Sequence, residues 1–206
     1  MTDSWVSPNY KYSNWIVADT DKKIEIFQDR VNGWMLDIAK QCNEIPHSGF
    51  AVLSIILSYF EMIGAFNKGD TDHTGSNEFK DGIRLVFQEF KNHDSELGEL
   101  YRLCRCGMYH IGMVREGILL DNYDKPLSLE NNVWKIDPAK LVERITEHFN
   151  NDYLNQIRTN KTHFQNTIKQ VIPDMPTSNN LSSYEPPTAS GVLSSLSDDD
   201  NRFGEL

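Results

Sequence analysis

The chain has 206 residues, of which 39% are hydrophobic, and a formal net charge of −10. That length allows one sizeable core with an appendage. An acidic balance argues against a protein that coats nucleic acid non-specifically, while leaving room for a small basic cleft.

Residues 1–22 are polar with interspersed aromatics and are expected to form an extended arm. They lack a basic start followed by an apolar block, so no secretory signal is expected. Ile24, Phe27, Val31, Trp34 or Met35, Ile38 and Cys42 recur at helical spacing and predict a first helix. Pro46 breaks it, and Ser48 is the candidate cap of a second helix that runs to about Phe66. The apolar run GFAVLSIILSYFEMIGAF is interrupted by Ser54, Ser58 and Glu61, which marks a core helix rather than a membrane span. Glu61 is the one acid in that run. It reads either as an interface carboxylate or as the partner of an arginine in the fourth helix, which it would orient.

A third helix is predicted after the loop NKGDTDHTG, capped by Ser76, with Phe79, Ile83, Val86, Phe87 and Phe90 inward. The loop and its continuation place Asp70, Asp72, Thr74, Glu78 and Asp81 at liganding positions of an EF-hand pattern. Asn77 stands where an apolar residue is usual, and Asp81 replaces the closing glutamate. The alternative is an acidic interhelix loop.

The fourth helix is expected from a cap at Ser95 to about Val114. Leu97, Leu100, Cys104, Met108 and Ile111 lie within about 40° of one line. Two short strands follow, GILLD and LSLENNVWKI, around turns at Lys125-Pro126 and Asn131-Asn132. Asp137 as N-cap and Pro138 at the first helical position open a last long helix that continues to about Val171. Beyond Pro173 the chain is rich in Ser, Pro, Asn and Asp, and six acids face the single base Arg202. Such a segment is expected to be flexible.

The expected fold class is all-α: an up-and-down helical bundle with a small β-hairpin before the last long helix. The expected divisions are an arm at 1–22, a helical domain at 23–172 and an acidic tail at 173–206. The odd cysteine set (Cys42, Cys104, Cys106) has no disulfide framework spacing, and no two of the six histidines stand three or four apart. Reduced thiols in the cytoplasm, with no metal, no cofactor and no membrane, are the expectation.

The stretch YRLCRCGMYH holds the chemistry. Arg105 falls about 100° to one side of the core line and His110 about 120° to the other. The outer face between them carries Arg102, Cys106, Tyr109 and Met113, where a solvated face would carry Glu, Lys or Gln. Such a helix is covered on both sides, either by its own bundle or by a second copy of the chain across a twofold axis. Arg105 and His110 are about 7.5 Å apart along the axis and about 140° apart around it, so one helix does not converge them on one phosphate. Two copies would. Histidine suits proton transfer to and from RNA oxygens near neutral pH, and arginine offers fixed donors to the charge that grows on phosphorus oxygens.

The helix LYRLCRCGMYHIG resembles the signature helix of the HEPN superfamily, and most closely small bacterial members that read LYR-x-x-RCG-x-x-H. The resemblance extends over residues 24–171, with specific residues at 100–112. It implies an all-α domain and a metal-independent endoribonuclease that leaves 2′,3′-cyclic phosphate ends. Arg105 and His110 would be catalytic and the cleft would form across a homodimer. RNA would be the substrate, an antitoxin or other protein a further partner, and the biological role that of a toxin or phage-defence effector. Cys106 departs from the Asn, Asp or His that often follows the motif arginine, and Gly112 from the Tyr of toxin-type members. A non-catalytic nucleotide- or protein-binding helical module stays open beside it, as does calcium binding at Asp70 to Asp81.

Overall fold

The computed structural model describes residues 3–174, which form one compact unit. The described part is mostly helical, with two small sheets. The expected tail lies, from Met175 onward, outside the described residues.

The arm is not merely extended. Strands β1 (Trp5–Ser7) and β2 (Tyr10–Lys11) pair antiparallel, and α1 (Tyr12–Val17) follows. Trp15 and Val6 enter the core, so this segment belongs to the folded unit. Its far end is tied in as well: Tyr12 donates to the Pro173 carbonyl at 2.6 Å, and Asp174 pairs with Lys23 and Lys169.

The first predicted helix is α2 (Thr20–Val31), capped by Asp19, then a π turn (Asn32–Leu36) and α3 (Asp37–Asn43). The π turn inserts a residue, so the buried stripe steps from Val31 to Leu36 and Ala39. Of the predicted continuation, Met35 and Cys42 pack part-buried against the core, while Trp34 and Ile38 are more than 40% exposed.

Helix α4 (Gly49–Lys68) is the central apolar element. It is the described helix long and apolar enough to cross a membrane, and 61% of its most apolar window is buried inside the protein. Gly69, with φ of 84°, ends it in the left-handed conformation. Helix α5 (Ser76–Val86) crosses α4 with backbone against backbone. A Cβ on Gly64 would stand 1.9 Å from the Glu78 carbonyl oxygen, and one on Gly82 would stand 1.9 Å from that of Phe60. These two glycines set the depth of the crossing and hence the position of Glu61 between Phe60 and Gly64. Phe79, Ile83, Val86, Phe87 and Phe90 are all buried, as their spacing predicts.

The fourth predicted helix is α6 (Asp94–Leu100), a π turn (Tyr101–Arg105) and α7 (Cys106–Ile111). Leu97, Leu100, Cys104 and Met108 are buried; Ile111 is 50% exposed, its place taken by Leu103 and Gly107. The helix stops three residues before Val114, because Gly112 takes φ of 68°. Ser76 and Ser95 are inside their helices rather than caps, the cap positions being Gly75 and His93. Ser48 is at the cap position of α4 without a side-chain cap bond.

The all-α class gives way here to a three-stranded sheet. Strands β3 (Ile118–Leu120), β4 (Leu127–Glu130) and β5 (Val133–Ile136) take the order β3-β5-β4. The two expected strands, GILLD and LSLENNVWKI, become three: LSLENNVWKI folds on itself as the β4–β5 hairpin, closed by Asn131 and Asn132 at positive φ, and GILLD does not pair with β4 across Lys125-Pro126. Strand β3 adds a parallel pairing, Ile118 opposite Trp134 and Leu120 opposite Ile136. Asp137 then caps α8 (Pro138–Glu147) by accepting from the Lys140 N–H. The last helix is not continuous. A π turn (His148–Tyr153) leads into α9 (Leu154–Thr159), Asn160 breaks the path, and α10 (Lys161–Val171) restarts with Asn160 as its cap. In the core, Tyr59 meets His148 Nδ1 at 2.8 Å. Burial holds the phenol protonated and pulls the imidazole down to about 4, so Tyr59 donates to a neutral ring.

Gly82→Ala is expected to destabilise the protein by about 3 kcal/mol, since a backbone carbonyl on α4 cannot yield to a methyl group. Gly98→Ala, where a Cβ meets nothing within 4 Å, is expected to be neutral or stabilising. Urea unfolding of both variants checks this, and equal midpoints would remove the packing argument.

Candidate functional site

The site starts from a carboxylate that has no business in an apolar helix unless something neutralises it. Glu61, 7% exposed, points out of α4 toward the π turn that ends in Arg105. Arg105 answers with both arms of a fork: Nε donates to Oε1, and Nη2 to Oε2 at 3.0 Å. This is the pairing of Glu61 with a fourth-helix arginine that the sequence allowed.

Two tyrosines complete the setting of the guanidinium. Its central carbon is 4.2 Å from the ring centroid of Tyr109 and 5.8 Å from that of Tyr101. Both are within cation–π reach. Tyr109 is pinned a second time, its hydroxyl donating to the Ser54 carbonyl on α4 at 3.1 Å. Burial works against the charge of Arg105, but the Glu61 carboxylate outweighs it and holds the guanidinium above its ordinary pKa. Burial, then Glu61 and Cys106, push the Tyr101 phenol up as well, so it stays protonated. Sequence reasoning passed over Tyr101. The signal was there: Tyr101 and Tyr109 stand four residues either side of Arg105.

His110 is exposed on the last turn of α7, next in the chain to Tyr109. Cys106 is part-buried and lies beside Tyr101. Cys104, by contrast, is buried and its thiol is pushed up to about 12, which makes it inert. Arg102 is not part of the Glu61–Arg105 cluster. It pairs with Glu99 at 3.6 Å and lines an open cleft of about 530 Å³ with Arg115, Glu116 and Asn132.

Met113 was expected on the outer helical face, and the structure corrects this. The chain reverses at Gly112, and Met113 donates its N–H back to the Gly107 carbonyl at 3.3 Å. A Cβ on Gly107 would stand 2.5 Å from the Met113 carbonyl oxygen, so the return strand needs a glycine there. The close approach at Gly107 is thus made within the chain. Met113 still emerges at the surface, 60% exposed, near Tyr109 and Ile111 at 49% and 50%.

The five EF-hand candidates are not gathered around a common point. Glu78 and Asp81 belong to α5, where Glu78 pairs with Lys68 at 2.8 Å and Asp81 with Arg84 at 2.9 Å. Asp70 accepts from the backbone of Asp72. Among the described residues no three His, Cys, Asp or Glu side chains are placed to share an ion. The loop is an interhelix connection tied to α10 through Thr71 and Gln170.

No family model, curated protein or solved structure matches the chain. The site therefore has to be judged on its own chemistry: a fixed, aromatic-flanked guanidinium and an exposed imidazole on one short helical segment.

Arg105→Ala is expected to lower stability by about 3 kcal/mol, because it leaves Glu61 charged, desolvated and alone. Adding Glu61→Gln should restore part of that loss. Urea unfolding of the single and double variants measures it; a double variant no better than the single would show that the pair is not the source.

Proposed function

We propose that the chain is a metal-independent endoribonuclease of HEPN type, acting in the cytoplasm, whose helices form the bundle of that family and whose site is shared by two copies. The observation that carries this reading is the preorganised Arg105, held by Glu61 and Tyr109, with an exposed His110 one turn further on. In this mechanism the imidazole takes the proton of a 2′-hydroxyl, which attacks the adjacent phosphorus and forms a 2′,3′-cyclic phosphate. The 5′-oxygen leaves with a proton from the second copy's histidine. Arg105 donates to the non-bridging oxygens as negative charge builds on them; an oriented donor stabilises that charge without rearranging.

Glu61 takes up Arg105 Nε and one Nη2 hydrogen, which leaves both Nη1 hydrogens and the other Nη2 hydrogen for phosphate. Glu61 is thus a positioning residue. Biologically such an enzyme fits a toxin or phage-defence effector restrained by an antitoxin or other protein.

Purified protein should cut single-stranded RNA in EDTA and leave 2′,3′-cyclic ends. His110→Ala should lower the rate by about 10² or more. Arg105→Lys, which keeps a cation against Glu61, is the cleaner arginine variant and should lose a similar factor with its melting temperature near wild type. His73, 87% exposed in its side chain, is the control histidine; His163 is unsuitable, since it bonds the Phe66 carbonyl at 2.8 Å. Cleavage unchanged in both site variants would end the ribonuclease reading and leave a binding module.

The twofold assembly has its own test. Ile111 and Met113 are exposed beside His110, and a second copy covering them would bring its own histidine to the cleft. Sedimentation at micromolar concentration should give a dimer, and Met113→Glu should shift it to monomer with loss of cleavage. A monomeric, fully active wild type would rule the shared site out.

A further inference from the structure

The most unusual side chain near the site is Tyr109. Its ring is covered on one side by a guanidinium that is itself clamped by Glu61, and its hydroxyl is bound to the Ser54 carbonyl. Yet the residue is 49% exposed. With one face under Arg105 and the hydroxyl against α4, the residue is still half-exposed to solvent. A surface tyrosine normally moves between rotamers; this one is held at both ends, so a planar group landing on it finds a surface already ordered.

We propose that Tyr109 is a stacking platform for one unpaired base of a single-stranded RNA, the base flanking the phosphate that Arg105 and His110 address. The inference rests on the ribonuclease reading for the identity of the strand, and it adds the residue that holds one of its unpaired bases. Base stacking on an aromatic ring tolerates any sequence and requires a base free of its duplex neighbours. His110 is the next residue in the chain, so a base on Tyr109 brings its own backbone to the imidazole's turn of helix. A buried tyrosine kept for packing would not need an exposed face, and an exposed one kept for solubility would not need two restraints.

The test is binding of a fluorescent 2′-O-methyl single strand, which lacks the attacking hydroxyl and stays intact. Tyr109→Leu should raise Kd by about ten-fold or more, while Tyr109→Phe and Tyr109→Trp keep it near the wild-type value. Replacing single nucleotides by abasic sites should find one position that costs wild type the same factor and costs Tyr109→Leu nothing further. A blunt duplex of the same sequence should not distinguish wild type from Tyr109→Leu. Unchanged binding by a folded Tyr109→Leu, or no binding of single strands by wild type, overturns the platform. The two readings separate cleanly. RNA cleavage in EDTA with an unchanged KM in Tyr109→Leu keeps the ribonuclease and removes the platform. Base-dependent binding without any cleavage keeps the platform and removes the ribonuclease.

Discussion

Everything around the site depends on how the protein keeps one carboxylate charged inside an apolar helix. Removing Glu61 from water costs several kcal/mol unless a partner meets it with good geometry. The bidentate contact from Arg105 supplies that geometry and forces the turn of chain bearing Arg105 to lie directly over α4. Gly64, on the same helix, and Gly82, on α5, let α5 sink against α4 until carbonyl oxygens replace side chains as the contact surface. Glu61 thus sits on a helix whose depth is fixed by glycines and whose charge is fixed by arginine. Tyr101 and Tyr109 then pack on the guanidinium, so the ion pair also determines where two aromatic rings stand.

Much of this was legible from the residues, and the failures share a cause. The lone acid of the GFAVLSIILSYFEMIGAF run admitted two readings, an interface carboxylate or the partner of a fourth-helix arginine, and the pairing with Arg105 is the second, since a buried charge has few ways to be satisfied. The inward faces of α5 and of the first half of α2 followed from plain helical spacing. What spacing could not reveal is a π turn, which leaves no mark in the hydrophobic pattern and rotates everything after it. That is why Leu36 and Ala39 are buried where Trp34 and Ile38 were expected, and why Leu103 and Gly107 displace Ile111. The parallel pairing of β3 with β5 was hidden for another reason. Strand signals are local, and nothing in GILLD says which strand it will join. Tyr101 was simply overlooked, although its spacing from Arg105 was available.

On the π turn from Tyr101 to Arg105, Leu103 and Cys104 are both buried, while Arg105 reaches the rim, where it is 22% exposed in its side chain. From Cys106 the helix is regular again for one short stretch, just long enough to carry Tyr109 and His110, before Gly112 reverses the chain. The segment is anchored at one end by an ion pair and at the other by the backbone contact that Gly107 permits.

In the ribonuclease we propose, that arrangement would divide two chemical tasks according to their physical needs. A group that stabilises developing charge works best when it is already oriented, because any reorientation during the reaction subtracts from the gain. Arg105, clamped by a carboxylate and stacked on Tyr109, meets that need. A group that exchanges protons must reach both its substrate and the solvent that resets it, and fixed burial would shift it away from neutral pH. His110, exposed on the final turn, meets that one. The contrast with His148 makes the point within the same chain. There an imidazole is buried against Tyr59, held neutral and pulled down to about 4, which serves the core and removes it from acid–base work at neutral pH. The same side chain is buried in one place and open to water in the other.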